Sequence, residues 1–310
     1  MRNQEAGGKP KQQHWAPQFY LRCFATPETR ESDEPKVWMY DGKSKSNPTS
    51  PTNIRNVCGE TYLYAPLGPN GKRDWETDEA LERLEAALGA RWPPLSCGFV
   101  HLGAPSLRNA LARFVATMHL RTPSVRRQIQ DIHADITEFL ESAPREPDGT
   151  LAVNEALIKG NRYDIDPSEW REFKKWSKDE EGRFFAKKVR SEAGLLASLL
   201  LAKRWSIVCA DEDSFVTSDR PVNIHHPTER RFGFETPGVQ IIFPISPTRI
   251  LVMDDLHDKE ANRYYTLQSH GAGGFNLLIW QSRVRFMITG RPPQQVIEEI
   301  ERAVPHFHST

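Results

Sequence analysis

Six side chains able to do chemistry stand inside apolar local patterns, where an uncompensated polar group would cost free energy. They are His14 before Trp15-Ala16-Pro17, Glu60 in Gly59-Glu60-Thr61-Tyr62-Leu63-Tyr64, Glu85 after Leu84, Arg121 after His119-Leu120, Asp219 after Phe215-Val216-Thr217-Ser218, and Asn276 after Phe275. Asp219 follows a strand pattern, and Pro221 turns the chain directly after it, so its carboxylate can line a cleft as metal ligand or general base. Its structural alternative is a turn cap, with Ser218 and Asp219 accepting from nearby backbone N–H groups. His14 precedes a proline-led helix and can carry a proton or bind a metal at neutral pH, or be tied to the backbone. Glu85 and Arg121 lie beside the apolar stripes of successive helices. A buried pair between them accounts for both, and the alternative is Arg121 gripping a phosphate or carboxylate with its planar fork. Glu60 reads as a strand-edge charge or a ligand, and Asn276 as a helix N-cap.

Assembled from such distant segments, a catalytic site would use Asp219 with one or both of Glu60 and Glu85 to hold a divalent cation. His14 would handle a proton, and Arg121 would neutralise an anionic group. That mixture fits metal-dependent hydrolysis of a phosphodiester or other anionic substrate, with His14, Asp219 and Arg121 as the catalytic set. The alternative is a non-catalytic binding or interaction protein, in which the same residues form a network fixing the helical part onto the sheet. The residues alone leave both readings open. Other features carry less. His225-His226 are adjacent and would point apart on a strand, Lys187, Lys188 and Arg190 read as a solvated helix face, and Gly271-Ala272-Gly273-Gly274 reads as a flexible loop. Phosphate-loop, dinucleotide, nucleophile-elbow, zinc-protease and kinase signatures are all missing from the sequence.

The elements that must position these residues follow from periodicity and punctuation. Pro17 leads a short helix carrying Tyr20, Leu21 and Phe24, and Val37-Trp38-Met39-Tyr40 is a strand closed by Asp41-Gly42, with a weaker strand at 60–64. A helix from Thr77 ends at Pro93-Pro94. A second begins with Ser106 as N-cap and runs toward Pro123, and charged helix follows over 125–141. Residues 142–182 are polar and broken by proline and glycine, which marks a peripheral insertion, and an apolar helix returns over 184–202. Then strands dominate. Hairpins are expected from 205–210 with 214–217 and from 239–244 with 249–254, followed by a helix at 276–283, a strand at 284–288 and a closing helix at 292–303. The fold class is therefore α+β, a helical N-terminal two thirds packed against an antiparallel-rich sheet from the C-terminal third.

The 310 residues suffice for one domain over 13–310, preceded by a disordered tail over 1–12 that lacks the apolar run of a signal peptide. The 41 basic and 41 acidic side chains cancel, so no global field draws nucleic acid or a membrane, and no apolar run is long enough to span a bilayer. A partner would be an anionic small molecule or nucleic acid meeting a local patch. Cys23, Cys58, Cys97 and Cys209 form no ligand pair and suit a reducing cytoplasm.

In this order, the segments around His14-Trp15-Ala16-Pro17-Gln18-Phe19-Tyr20-Leu21-Arg22, Gly59-Glu60, Leu84-Glu85, His119-Leu120-Arg121-Thr122-Pro123, Thr217-Ser218-Asp219-Arg220-Pro221, Phe243-Pro244-Ile245-Ser246-Pro247 and Phe275-Asn276 resemble the bacterial family of uncharacterised proteins known as domain of unknown function 4238. The resemblance runs from about His14 to Ile288. It implies no settled activity and carries over only onto His14, Glu60, Glu85, Arg121, Asp219 and Asn276. The sequence departs from the family pattern at His119, where a glutamine is expected before Arg-Thr-Pro.

Overall fold

The computed structural model describes residues 11–43, 48–166, 170–268 and 271–307, so residues 1–10 of the expected tail lie outside the described residues. Gln12 already belongs to the first strand, β1 (Gln12–His14). Pro17 then leads into α1 (Gln18–Cys23), which buries Tyr20 and Leu21. Strands β2 (Lys36–Asp41), β3 (Thr52–Asn53) and β4 (Gly59–Thr61) follow, and β4 returns antiparallel to β1 with Gly59 opposite His14. Helix α2 (Glu76–Gly89) opens with Glu76, Asp78 and Glu79 in its first turn, where the helix dipole favours acids. Pro93 and Pro94 do not merely end it: they fill the first turn of α3 (Trp92–Cys97), where a missing N–H leaves no bond unmade. Helix α4 (Pro105–Leu120) starts at a proline with Ala104 as N-cap, so the expected cap at Ser106 is displaced by Pro105, whose fixed φ suits the first helical position. Helix α5 (Pro123–Ser142) repeats the device.

After α5 comes a hairpin of β5 (Glu155–Ile158) and β6 (Asn161–Asp164), then α6 (Trp170–Lys174). The long α7 (Lys178–Ala202) begins earlier than its apolar pattern, because Ser177 and Glu180 form a reciprocal capping box. It packs along α4.

The strands that follow sort into two main sheets. β7 (Arg204–Cys209), β8 (Thr217–Ser218), β9 (Asn223–His225), β10 (Gln240–Ser246), β11 (Arg249–Asp254) and β12 (Arg263–Thr266) lead to α8 (Gly271–Ser282), β13 (Phe286–Thr289) and α9 (Pro293–Phe307). One sheet has the order β12-β7-β11-β10-β9 and the other β3-β2-β13-β8. The expected β10–β11 hairpin forms, with a register shift between Pro244 and Ser246. The hairpin expected between 205–210 and 214–217 does not: β7 pairs with β11 and, in parallel, with β12, while β8 pairs with β13. The class is mixed α and β with antiparallel-rich sheets, but the second sheet takes β2 and β3 from the N-terminal part, so the elements are less segregated than the sequence implies. An aromatic cluster joins the layers: Tyr20 of α1 stacks on Phe243 of β10 at 5.5 Å between ring centroids, and Trp92 of α3 meets Phe114 of α4 edge-on at 5.2 Å.

Candidate functional site

Arg121 caps the C-terminal end of α4, and its side chain is 1% exposed. Burying a guanidinium demands partners on every side. Nη1 donates to Glu85 Oε1 at 2.6 Å, Nε to the Trp15 carbonyl at 2.7 Å, and Nη2 points at Met118 Sδ at 3.1 Å. The Arg121 carbonyl accepts from the Tyr64 hydroxyl at 2.7 Å, and the Tyr64 N–H donates to Gln13 Oε1 at 2.6 Å. The Glu85–Arg121 pair weighed from the sequence is therefore present, and it binds α2 to α4 and both to the β1–α1 segment.

His14 projects from β1 over Gly59, where a Cβ would lie 3.1 Å from its ring. Its Nδ1–H donates to the Val57 carbonyl at 3.0 Å, which leaves Nε2 as the acceptor, with the Gln18 amide 3.4 Å away. Burial lowers the imidazole pKa from its ordinary value, with Arg121 acting in the same sense and the Val57 carbonyl and Glu85 opposing. The neutral ring thus keeps one lone pair on a half-exposed edge. Glu60 goes elsewhere, to an exposed pair with Arg126 at 2.7 Å.

Asp219 is reached from the same segment by backbone: the Trp15 indole N–H donates to the Asp219 carbonyl at 3.0 Å. Its carboxylate accepts three successive backbone N–H groups at the start of β13, from Val284 at 3.0 Å, Arg285 at 2.8 Å and Phe286 at 3.1 Å. Burial raises the carboxyl pKa above its ordinary value, and these N–H groups and the Arg283 charge oppose it. Asn276 is not an N-cap. It sits within α8, fully buried, accepting from Val216 N at 3.1 Å and donating to the Ser214 carbonyl at 2.9 Å.

The structure thus joins Glu85, Arg121, Trp15 and Asp219 in one chain of contacts with His14 beside it, and leaves Glu60 and Asn276 outside. The three carboxylates named as cation ligands, Asp219, Glu60 and Glu85, each take a different partner. Among the described residues, no group of three His, Cys, Asp or Glu side chains is placed to hold a metal ion. His14 Nε2 and the second Glu85 oxygen are the donor atoms left for a proton or a cation, where a catalytic zinc takes three protein ligands.

The family described as protein of unknown function, DUF4238, matches residues 12–291, a span that contains the whole network. The chain belongs to the DUF4238 family. No curated protein and no solved structure matches it. Within this DUF4238 chain, His119 lies in the last turn of α4, two residues before Arg121. Its ring lies edge-on to Phe234 at 4.8 Å, its Nδ1 is buried without a partner among the described residues, and burial, assisted by the Arg220 charge, pushes its pKa down to about 3.

Sequence reasoning overlooked Trp15, which links the two halves through its carbonyl and its indole N–H, and Tyr64, which closes the Arg121 carbonyl. Neither role has a local sequence signal, because both depend on contacts between distant segments. A cavity of about 1200 Å³, lined in part by Cys209, Ser214, Gly271, Arg291, Glu299 and Arg302, is a separate feature, and none of the six candidate side chains lines it.

Proposed function

We propose that this DUF4238 chain is a non-catalytic binding protein for an anionic partner, in which the Glu85–Arg121–Trp15–Asp219 network is the frame that docks the helical part onto the sheet. The observation that carries the reading is the acceptance of three consecutive backbone N–H groups by the Asp219 carboxylate. A carboxylate so engaged holds the end of β8 against the start of β13 and has little capacity left for a substrate proton or a cation. The test is Asp219→Ala. Loss of three hydrogen bonds to a charged acceptor lowers stability by about 3 kcal/mol, read as a shifted urea midpoint with an unchanged m value, and divalent cations do not alter the melting temperature of either protein. A variant as stable as the wild type would sink the frame.

A second reading, hydrolysis of a phosphodiester or other anionic ester, is favoured by one feature: His14 with Nδ1 fixed on Val57 and Nε2, an acceptor facing the Gln18 amide, placed to take a proton within reach of the Glu85 charge. Turnover of an activated aryl phosphodiester that vanishes in His14→Ala would favour it over the first.

A further inference from the structure

Half-buried arginines in this chain end on oxygen. Arg22 donates to the Arg30 and Ser32 carbonyls, Arg108 to Asn262, Leu201 and Lys203, and Arg183 to Leu67. Arg220 is different. It is half-buried, yet among the described residues its guanidinium has no hydrogen-bond acceptor and no carboxylate at ion-pair distance. The adjacent Asp219 does not supply one, because its carboxylate is turned to the N–H groups of Val284, Arg285 and Phe286. His119, close enough for the Arg220 charge to act on its ring, is neutral through the physiological range and offers no counter-charge. Burial lowers the pKa of this guanidinium, and the Asp219 charge opposes that shift without closing an ion pair, so the group is partly withdrawn from water with its hydrogen-bonding fork unpaired.

The backbone that presents Arg220 is held firmly. Ser218 Oγ accepts from Arg220 N at 3.2 Å and donates to the Arg220 carbonyl at 2.9 Å, Trp15 holds the Asp219 carbonyl, and Pro221 fixes the next φ. Phe234, edge-on to His119, adds an apolar surface to this neighbourhood.

We propose that Arg220, presented by the turn between β8 and β9 near the C-terminal end of α4, anchors a binding site for the oxyanion of a small molecule, a phosphate or carboxylate gripped by the guanidinium fork with His119 and Phe234 nearby. The proposal rests on the binding-protein reading and gives its anion a place and a chemistry. The full chain is titrated calorimetrically with inorganic phosphate and, separately, with acetate, at ionic strength fixed by chloride. At least one of the two binds saturably at one site per chain. Arg220→Gln weakens it about tenfold or more, the loss expected for a charge-assisted hydrogen bond, and Arg220→Lys, a charge without the fork, falls between. Because Arg220 makes no side-chain hydrogen bond among the described residues, the melting temperature of Arg220→Gln without anion does not fall below the wild-type value, so lost binding cannot be lost folding. Phosphate binding alone assigns a phosphorylated ligand, and acetate binding alone a carboxylate. Equal affinity in Arg220→Gln, or no saturable binding of either ion to the wild type, overturns the proposal and leaves the Asp219 frame standing. A fully stable Asp219→Ala protein does the reverse.

Discussion

Glu85 and Arg121 form one ion pair but are unequally exposed, 29% against 1% at the side chain, so truncating one is not equivalent to truncating the other. Without Arg121, the Glu85 carboxylate can turn to water; without Glu85, the guanidinium stays buried with only the Trp15 carbonyl and the Met118 sulfur. Glu85→Ala therefore costs about 3 kcal/mol and Glu85→Gln, which keeps an acceptor, clearly less, both measured by urea unfolding. A Glu85→Ala protein within the error of the wild type would show that the pair contributes nothing net. His119 sets a pH dependence. Its native pKa of about 3 lies below the value near 6.5 of an unfolded chain, so below that pH the unfolded state binds a proton that the native state refuses. Stability is complete above about pH 6.5 and falls as pH drops toward about 3, by up to roughly 1.4 kcal/mol per pH unit. The lowered pKa of His14 acts in the same direction. His119→Gln removes its share, so urea midpoints compared between pH 4.5 and 7 show a shallower acid limb; identical limbs would refute the assignment. At this scale, the residue types that matter were legible as polar groups out of place in apolar patterns. Their partners were not, because the Trp15 carbonyl and the N–H groups of Val284, Arg285 and Phe286 carry no side-chain signature.

At the scale of elements, the Gly271-Ala272-Gly273-Gly274 run shows why composition misleads. Glycine there signals a loop, yet the run opens α8, because Gly273 lies where α8 crosses α9: a Cβ would sit 2.8 Å from the Glu299 carbonyl oxygen and 2.9 Å from the Ala303 Cβ. Close helix contact is the reason for the small residue, and contact with a later helix is invisible in a local window. Gly273→Ala consequently destabilises by about 1–3 kcal/mol through overpacking. Gly89, in the last turn of α2, has nothing within 4 Å of its would-be Cβ, so Gly89→Ala stabilises by about 0.5–1 kcal/mol through the lower entropy of the unfolded chain. Thermal melts of the two variants should move in opposite directions, and a shared direction would contradict the packing argument. The Asp211-Glu212-Asp213 turn is a related case. A short polar turn between two strand patterns suggests a hairpin, but Ser214 N and Phe215 N donate instead to the Pro247 carbonyl, which diverts the chain to β8 in the other sheet.

Across the whole molecule, the chain closes on itself. Met39 of β2 pairs with Ile288 of β13, which also pairs with β8 just before Asp219, so the sheet beside Asp219 needs an early and a late segment of the chain in place. Residues 143–166 and 170–176 form a smaller unit beside α5. They carry the β5–β6 hairpin and α6 around a separate small cluster of Leu140, Ala143, Leu151, Ala156 and Ile165. Their polar attachments to the body run mainly to α5, through the Phe173 carbonyl facing His133 Nε2 at 2.7 Å and the Lys159–Asp135 and Lys174–Glu141 ion pairs. A unit with so small an apolar core opens at a lower free energy than the sheets, because local stability follows the apolar area that must be exposed. Hydrogen exchange should therefore be faster at the amides of β5 and β6 than at those of β10 and β11, with brief proteolysis cutting within 143–166 first. If the body is independent of this unit, the nicked chain keeps the melting transition and the anion affinity of the intact protein. Exchange as slow in β5 and β6 as in β10 and β11 would instead place the unit within the same cooperative fold as the sheets.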